Sequence, residues 1–132
     1  MTSSTTWTIS QLAQEFGITP RTIRFYEDEG ILSPERCGRN RVYSPRDRAR
    51  LKLALRGKRL GLSLAEIRSL IDMYESPQDT RRQLQHYLDI LGQHRAMLER
   101  KREDIELTLA EIGEQEAQCR ALLQGSRMAG AR

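Results

Sequence analysis

Apolar residues recur along this chain with helical spacing, in short segments at first and then in one long segment. From residue 84 to residue 123, steps of four and three residues place an apolar side chain or a cysteine at nine of twelve positions. Such a repeat predicts a helix with one apolar stripe, as in coiled coils. No proline occurs between Gln78 and Gln124, so we predict one continuous helix of roughly 70 Å at 1.5 Å per residue.

This stripe is too long to be buried against the short helices that precede it, so we predict that a second copy of the chain covers it. Arg95 and Arg102 interrupt the stripe, and in a parallel pair they would face like charges. An antiparallel pair sets them near Glu116 of the second chain, which favours an antiparallel homodimer. The predicted dimer-interface residues are Leu84, Leu88, Leu91, Leu98, Ile105, Leu109, Ile112 and Cys119.

Two short helices are predicted near the start of the chain. The first covers Ser10–Gly17 and ends at its glycine. Thr19 is suited to the N-cap of the second helix and Pro20 to its first position, while Ile18 and Ile23 have the spacing of a hydrophobic staple. A second helix that begins with arginines is typical of a helix-turn-helix that reads DNA, although an ordinary helical hairpin has the same pattern.

The next segment changes character. Pro34 discourages a helix, and Val42 and Tyr43 are residues that favour strands. We predict a two-stranded ribbon with its tip at Cys37–Asn40, placed like the wing beside a helix-turn-helix. A basic surface loop is the alternative at this point.

Two more helix starts follow the ribbon. Ser44 with Asp47, and Ser63 with Glu66, have the spacing of capping boxes, and Gly61 is placed to end the first of these helices. The predicted fold is therefore mainly α. It consists of a winged helix-turn-helix DNA-binding domain at 8–76 that includes a two-helix extension, a long coiled-coil dimerisation helix at 78–124, and a disordered tail at 125–132.

Charge is distributed unevenly. The chain has a formal net charge of +4, but residues 19–61 contain twelve basic and five acidic side chains. Residues 62–132 contain ten basic and twelve acidic ones. A basic head followed by a nearly neutral helix is typical of a nucleic-acid-binding protein with a separate association element.

Several functional classes find no support in the sequence. No segment approaches the roughly 18 apolar residues of a membrane span, and Cys37 and Cys119 are too few for a disulfide framework. We therefore expect a cytoplasmic protein without membrane contact. Neither a glycine-rich phosphate loop nor a nucleophile in a base-bearing motif is present, so we expect no enzymatic activity and no cofactor.

Four motifs in order resemble the MerR family of bacterial transcription regulators. They are ISQLA at 9–13, TIRFYE at 22–27, a glycine-arginine-tyrosine pattern at 38–43, and LGLSLAEI at 60–67. The resemblance extends from about Thr8 to Cys119. It implies DNA contacts from the second helix and the wing, and this chain has Asn40 where many members have a tyrosine. The predicted DNA-binding residues are Arg21, Thr22, Arg24, Tyr26, Arg39, Arg41, Tyr43 and Lys58.

The resemblance also implies a mechanism and partners. A homodimer binds a pseudo-palindrome in double-stranded promoter DNA and distorts it, so that RNA polymerase is an indirect partner. Metal-sensing relatives carry cysteines at both ends of the long helix, whereas this chain has only Cys119, so we expect no metal site. The resemblance also admits a small-molecule effector as a partner, and its pocket would have to be built from the helices and the dimer seam.

The segments around residues 24–36 and 43–61 look closest to a subgroup linked to the breakdown of leucine, isovalerate and related acyl-CoA compounds. Two alternatives remain open at this point. One is a coiled-coil adaptor whose basic head meets an acidic protein or RNA, and the other is an architectural DNA-binding protein without an effector response.

Overall fold

Helix caps encoded in the sequence set the order of elements in the structure, a computed structural model that describes residues 5–76 and 80–130. In this part of the chain five helices and one two-stranded sheet follow each other. They are α1 (Ile9–Phe16), α2 (Pro20–Asp28), β1 (Glu35–Cys37), β2 (Asn40–Val42), α3 (Pro45–Leu60), α4 (Leu64–Glu75) and α5 (Thr80–Gly130).

The predicted helix starts are confirmed by their hydrogen bonds. The hydroxyl of Thr19 accepts from the backbone N–H of Thr22 at 3.2 Å, and Pro20 occupies the first helical position. The boxes at Ser44 and Ser63 both close, and α1 has a further capping box at Thr8 that the sequence analysis did not anticipate. Each satisfies backbone groups that a helix end leaves without a partner.

The ribbon is also confirmed. Strands β1 and β2 are antiparallel, with Glu35 opposite Val42 and Cys37 opposite Asn40. Gly38 lies at the tip with φ of 66°, a conformation that glycine adopts without steric cost. One contact was not predicted: Trp7 pairs with Tyr43 just after β2 through two backbone hydrogen bonds of 2.9 and 3.0 Å.

The core lies where α1, α2, α3 and α4 meet the ribbon. Its members are buried side chains from each of these helices, from the segments on both sides of the ribbon, from the α3–α4 turn and from α5. They are Leu12, Ala13, Ile23, Tyr26, Ile31, Leu32, Tyr43, Leu51, Ala54, Leu62, Ile67, Leu70, Ile71 and Ile90. Ile90, the last of them, is contributed by α5.

The chain divides into two compact units within α5, one ending at Ile90 and the other starting at Leu91. We had placed the domain boundary near the Ser76–Pro77 break, but Tyr87 packs against the core and Ile90 belongs to it. The first turns of α5 are therefore part of the head. Residues 77–79, which include the predicted break at Pro77 and the predicted start of the long helix at Gln78, lie outside the described residues.

The structure differs from the sequence-based prediction at the other end of the long helix. We expected a disordered tail from Gly125, whereas α5 continues to Gly130. An isolated glycine costs a helix only about 1 kcal/mol relative to alanine, and no proline follows to stop it. Residues 131–132 lie outside the described part of the chain.

Gly57 provides a test of how closely α3 and α4 pack. A Cβ added at this buried position would lie 2.6 Å from Ile67 Cγ1 and 3.3 Å from Ile67 Cδ1. Overpacking costs about 1–3 kcal/mol, which exceeds the gain of about 1 kcal/mol that alanine normally brings to a helix. We therefore expect Gly57→Ala to lower the free energy of unfolding, measured by urea denaturation at fixed protein concentration.

Gly113→Ala is the matched control, because a Cβ on that α5 glycine meets no atom within 4 Å. We expect this variant to be as stable as the wild type or slightly more stable. Equal stabilisation by both substitutions would contradict the close packing of α3 on α4.

Candidate nucleic-acid interface

The first turns of α2 present two exposed arginines. Arg21 follows the first helical position and Arg24 lies one turn further on, and both side chains are exposed. Thr22, between them, is half-buried, and its hydroxyl lies 3.1 Å from the hydroxyl of Thr19. Guanidinium groups at the start of a helix can bind phosphate oxygens or the edge of guanine.

The wing carries a second group of arginines. Arg39 is exposed at the tip of the ribbon, and Arg36 is exposed on β1, where it pairs in register with Arg41 of β2. Arg41 differs from the other two because only 23% of its side chain is exposed. Its Nε donates to Glu27 Oε2 at 3.0 Å.

Glu27, near the end of α2, connects the helix to the wing. Besides the bond from Arg41, its other carboxylate oxygen accepts a hydrogen bond from the hydroxyl of Tyr43. Burial, followed by this bond to the Glu27 carboxylate, raises the pKa of Tyr43 well above its ordinary value. One carboxylate therefore fixes two residues of the wing against the second helix of the helix-turn-helix.

Two of the predicted DNA-binding residues do not lie on the surface. Tyr26 is 1% exposed and Tyr43 is fully buried. This placement differs from the predicted role of both tyrosines as DNA contacts, because the rings belong to the core and the Tyr43 hydroxyl already donates to Glu27. Sequence motifs cannot distinguish these roles, since a tyrosine suits both a core and an interface.

Further ion pairs hold α2 and its neighbours in place. Arg68 of α4 donates to the backbone carbonyl of Glu29, just after α2. Arg48 of α3 pairs with Glu15 of α1 and lies over the Trp7 ring, 5.5 Å from its centre. The Arg48 hydrogen bond lowers the pKa of Glu15. Arg48 belongs to the same basic segment as the predicted DNA contacts, but its partner lies within the fold.

Lys58 lies apart from the arginines of α2 in the sequence and is exposed in the last turn of α3, next to Arg59. A cation in this position also interacts favourably with the helix C-terminus. Lys58 is therefore exposed, and its position alone does not distinguish a DNA contact from a helix-end cation.

The predicted dimer stripe of α5 is exposed in the single chain. Leu84, Leu98, Ile105, Leu109 and Ile112 each expose between 51% and 62% of their surface, and Leu88 exposes 61%. Leu91 is half-buried and Cys119 is exposed. Contiguous exposed apolar side chains of this kind usually mark a protein–protein interface.

Comparison with known proteins identifies the class to which this fold and surface belong. The family described as "MerR HTH family regulatory protein" matches residues 7–74, and that described as "MerR, DNA binding" matches residues 48–115. The chain belongs to the MerR family. It is a DNA-binding transcription regulator with a winged helix-turn-helix.

Two curated relatives illustrate the similarity. The HTH-type transcriptional regulator HmrR of Rhizobium leguminosarum bv. viciae is 38% identical over 68 residues, which are 51% of this chain and 53% of HmrR. This chain therefore spans about half of the length of that relative. CueR of Salmonella typhimurium is 28% identical over 119 residues, which are 84% of this chain and 86% of CueR.

Solved structures of MerR family regulators also resemble the fold of this chain. A MerR family transcriptional regulator from Bacillus cereus superposes with a TM-score of 0.68 at 26% identity, covering 83% of this chain and 79% of that one. HiNmlR, described as a MerR family regulator lacking the sensor domain and bound to promoter DNA, superposes with a TM-score of 0.57 at 25% identity. That match covers 80% of this chain and 79% of HiNmlR.

Two features are absent from the part of the chain that the structure describes. Across 5–76 and 80–130, no three His, Cys, Asp or Glu side chains are grouped so that they could hold a metal ion. Among the helices in those ranges, none combines the length and the apolar character needed to cross a bilayer.

Glu27→Ala tests the connection between α2 and the wing. It leaves the buried Tyr43 hydroxyl and the half-buried Arg41 without their partner, and an unsatisfied buried polar group costs about 1–3 kcal/mol. We expect the free energy of unfolding to fall by about this amount. In a double-mutant cycle with Tyr43→Phe, the two effects should be less than additive.

Asp28→Ala is the control, because Asp28 is the neighbouring acid on α2 and is exposed. We expect a change within about 0.5 kcal/mol, as for most surface substitutions. Equal stability of the Glu27 and Asp28 variants, or full additivity in the cycle, would mean that Glu27 does not connect the two elements.

Proposed function

We propose that the protein binds a pseudo-palindromic site in promoter DNA as a homodimer, with Arg21, Arg24 and Arg39 as its principal DNA contacts. The observation that carries this proposal is the exposure of these three arginines on two elements of one unit that Glu27 fastens together. Thr22 and Lys58 are supporting contacts, the former through its position between the two arginines of α2.

Arg41, Tyr26 and Tyr43 act differently in this proposal. Tyr26 and Tyr43 support the recognition helix and the wing from the core, and the Arg41 side chain is engaged by Glu27. They position the DNA-binding surface, and any contact that Arg41 makes with DNA uses the terminal nitrogens of its guanidinium.

The dimer is formed by the apolar stripe of α5, while residues 8–76 form the DNA-binding part. Two copies are required because a single recognition helix reads only one half-site, and half-sites of helix-turn-helix dimers lie about one helical turn apart, roughly 34 Å. The α5 helices pair antiparallel in this proposal, because that orientation sets Arg95 and Arg102 of one chain near Glu116 of the other. Bound in this way, the dimer acts on transcription by distorting the promoter, which affects RNA polymerase indirectly.

Arg24→Ala tests the DNA contact. We expect its affinity for the chain's own promoter fragment to fall several-fold or more, measured by fluorescence anisotropy across a series of salt concentrations. If six phosphates are neutralised by the wild-type dimer, its log–log salt slope is near −5, at about −0.9 per contact. Loss of a phosphate contact from each protomer makes the slope shallower by about 2, whereas loss of a base contact relaxes sequence preference instead.

Arg100→Ala is the control, since it removes the same charge from an exposed position on α5. We expect it to retain wild-type affinity. A triple Arg21/Arg24/Arg39 alanine variant that is folded, dimeric and still binds the promoter fragment like the wild type would rule out the proposed DNA-binding surface.

Leu109→Glu tests the dimer interface. Leu109 lies on the predicted stripe and is 62% exposed, whereas Leu107 lies two positions away, off the stripe, and is 65% exposed. Two residues are separated by about 200° around a helix. We expect Leu109→Glu to yield monomers in sedimentation experiments at micromolar concentration, and the matched Leu107→Glu variant to remain dimeric. Dimers of equal stability in both would exclude this stripe as the interface.

A further inference from the structure

The head unit contains a cavity that the proposed function does not use. It has a volume of about 310 Å³ and lies between α4 and the first turns of α5. Leu70 and Met73 of α4 and Tyr87 and Ile90 of α5 provide its apolar wall. The volume is at the lower end of the range of small-molecule sites, roughly 300–1000 Å³.

One polar atom of this cavity has no partner. The side-chain oxygen of Gln83, a residue of the cavity wall, is buried and accepts no hydrogen bond. A buried acceptor without a donor costs free energy that a suitable ligand recovers on binding. A ligand with an O–H or N–H group could donate the missing hydrogen bond to this oxygen.

The charges of the wall indicate the class of that ligand. Asp72 and Arg82 both line the cavity and carry opposite charges, and His86 is the other titratable side chain besides Tyr87. Burial raises the pKa of Tyr87 above its ordinary value, which keeps its hydroxyl neutral. Because the opposite charges balance, the cavity favours an uncharged molecule over an anion or a cation.

The dimer proposed above leaves this cavity open. Gln83, Tyr87 and Ile90 are centred roughly 110° around α5 from the centre of the stripe residues Leu84 and Leu88, given about 3.6 residues per turn. Their burial agrees with this, since Ile90 is 7% exposed in the single chain whereas Leu84 and Leu88 are more than half exposed. A second copy seated on the stripe therefore covers a different face of the helix.

We propose that the cavity between α4 and α5 binds a small uncharged amphiphile, whose apolar body packs on Leu70, Met73 and Ile90 and whose hydroxyl or amide group donates to Gln83. The position of the cavity beside α4 connects ligand binding to the proposed DNA-binding surface, because α4 contacts both the end of α2 and α3. Arg68 on α4 holds the end of the recognition helix through Glu29. At the other end of α4, Glu75 pairs with Arg46 and Arg50 of α3.

The probe for this site is para-propylphenol, compared with para-propylanisole, which has the same apolar body without a donor, and with para-hydroxyphenylpropanoate, which adds a negative charge. Binding to the full-length chain is measured by titration with NMR detection. We expect saturable binding of the phenol with a Kd of about 1 mM or lower. The anisole and the charged analogue should bind roughly three- to ten-fold more weakly.

Gln83→Leu should lower the phenol affinity to that of the anisole and leave anisole binding unchanged. Gln93→Leu is the control, because Gln93 is an exposed glutamine of the same helix outside the cavity wall, and it should bind all three probes like the wild type. If Gln83→Leu does not fold, the ratio of phenol to anisole affinity in the wild type still shows whether the site recognises the hydroxyl donor of the ligand.

The proposal is overturned by the absence of saturable phenol binding, by equal affinities for phenol and anisole, or by undiminished phenol binding to folded Gln83→Leu. Promoter-DNA affinity is measured on the same preparation. Intact DNA binding without probe binding refutes the ligand site alone, and loss of DNA binding refutes the proposed function independently of it.

Discussion

The hydrogen bonds that the Glu27 carboxylate accepts from Arg41 and Tyr43 are the interaction on which the proposed DNA-binding surface depends. The ribbon consists of two three-residue strands, and an isolated two-stranded hairpin is at best marginally stable in water. Glu27 joins it to α2 through the side chains of Arg41 and Tyr43, and the backbone of Trp7 pairs with the backbone of Tyr43. Because three parts of the chain meet at Tyr43, the wing keeps a fixed position beside the exposed arginines of α2.

The elements that could be predicted from sequence are those set by local rules. Three helices begin at the N-caps Thr19, Ser44 and Ser63, whose side chains accept hydrogen bonds from residues three positions away. Because these partners are close in sequence, such helix starts can be predicted from the sequence. The ribbon and the Gly61 helix end follow from the same kind of signal. The extent of α5 was less predictable, because a helix continues where no strong stop signal ends it, and Gly125 alone is not a strong stop signal.

What the sequence could not supply was the choice between core and surface for residues that suit both. Tyr26 and Tyr43 each have a polar end, and only contacts with residues distant along the chain place both rings in the core. The same limitation applies to the domain boundary. Ile90 is apolar in any case, and its place in the head core depends on contacts with elements that are distant along the chain.

The excess of basic residues in the head is likewise divided by the fold. Arg41, Arg46, Arg48 and Arg50 all lie in the basic segment, and each is within an ion pair with a glutamate from another element. The more exposed of these pairs, those of Arg46 and Arg48, contribute only about 0–1 kcal/mol each to stability, but all four reduce the positive potential that phosphates would meet. Net charge counted from the sequence therefore overstates the attraction to DNA. Arg21, Arg24 and Arg39 remain exposed, which supports their proposed role, whereas folding uses these four paired arginines to connect elements.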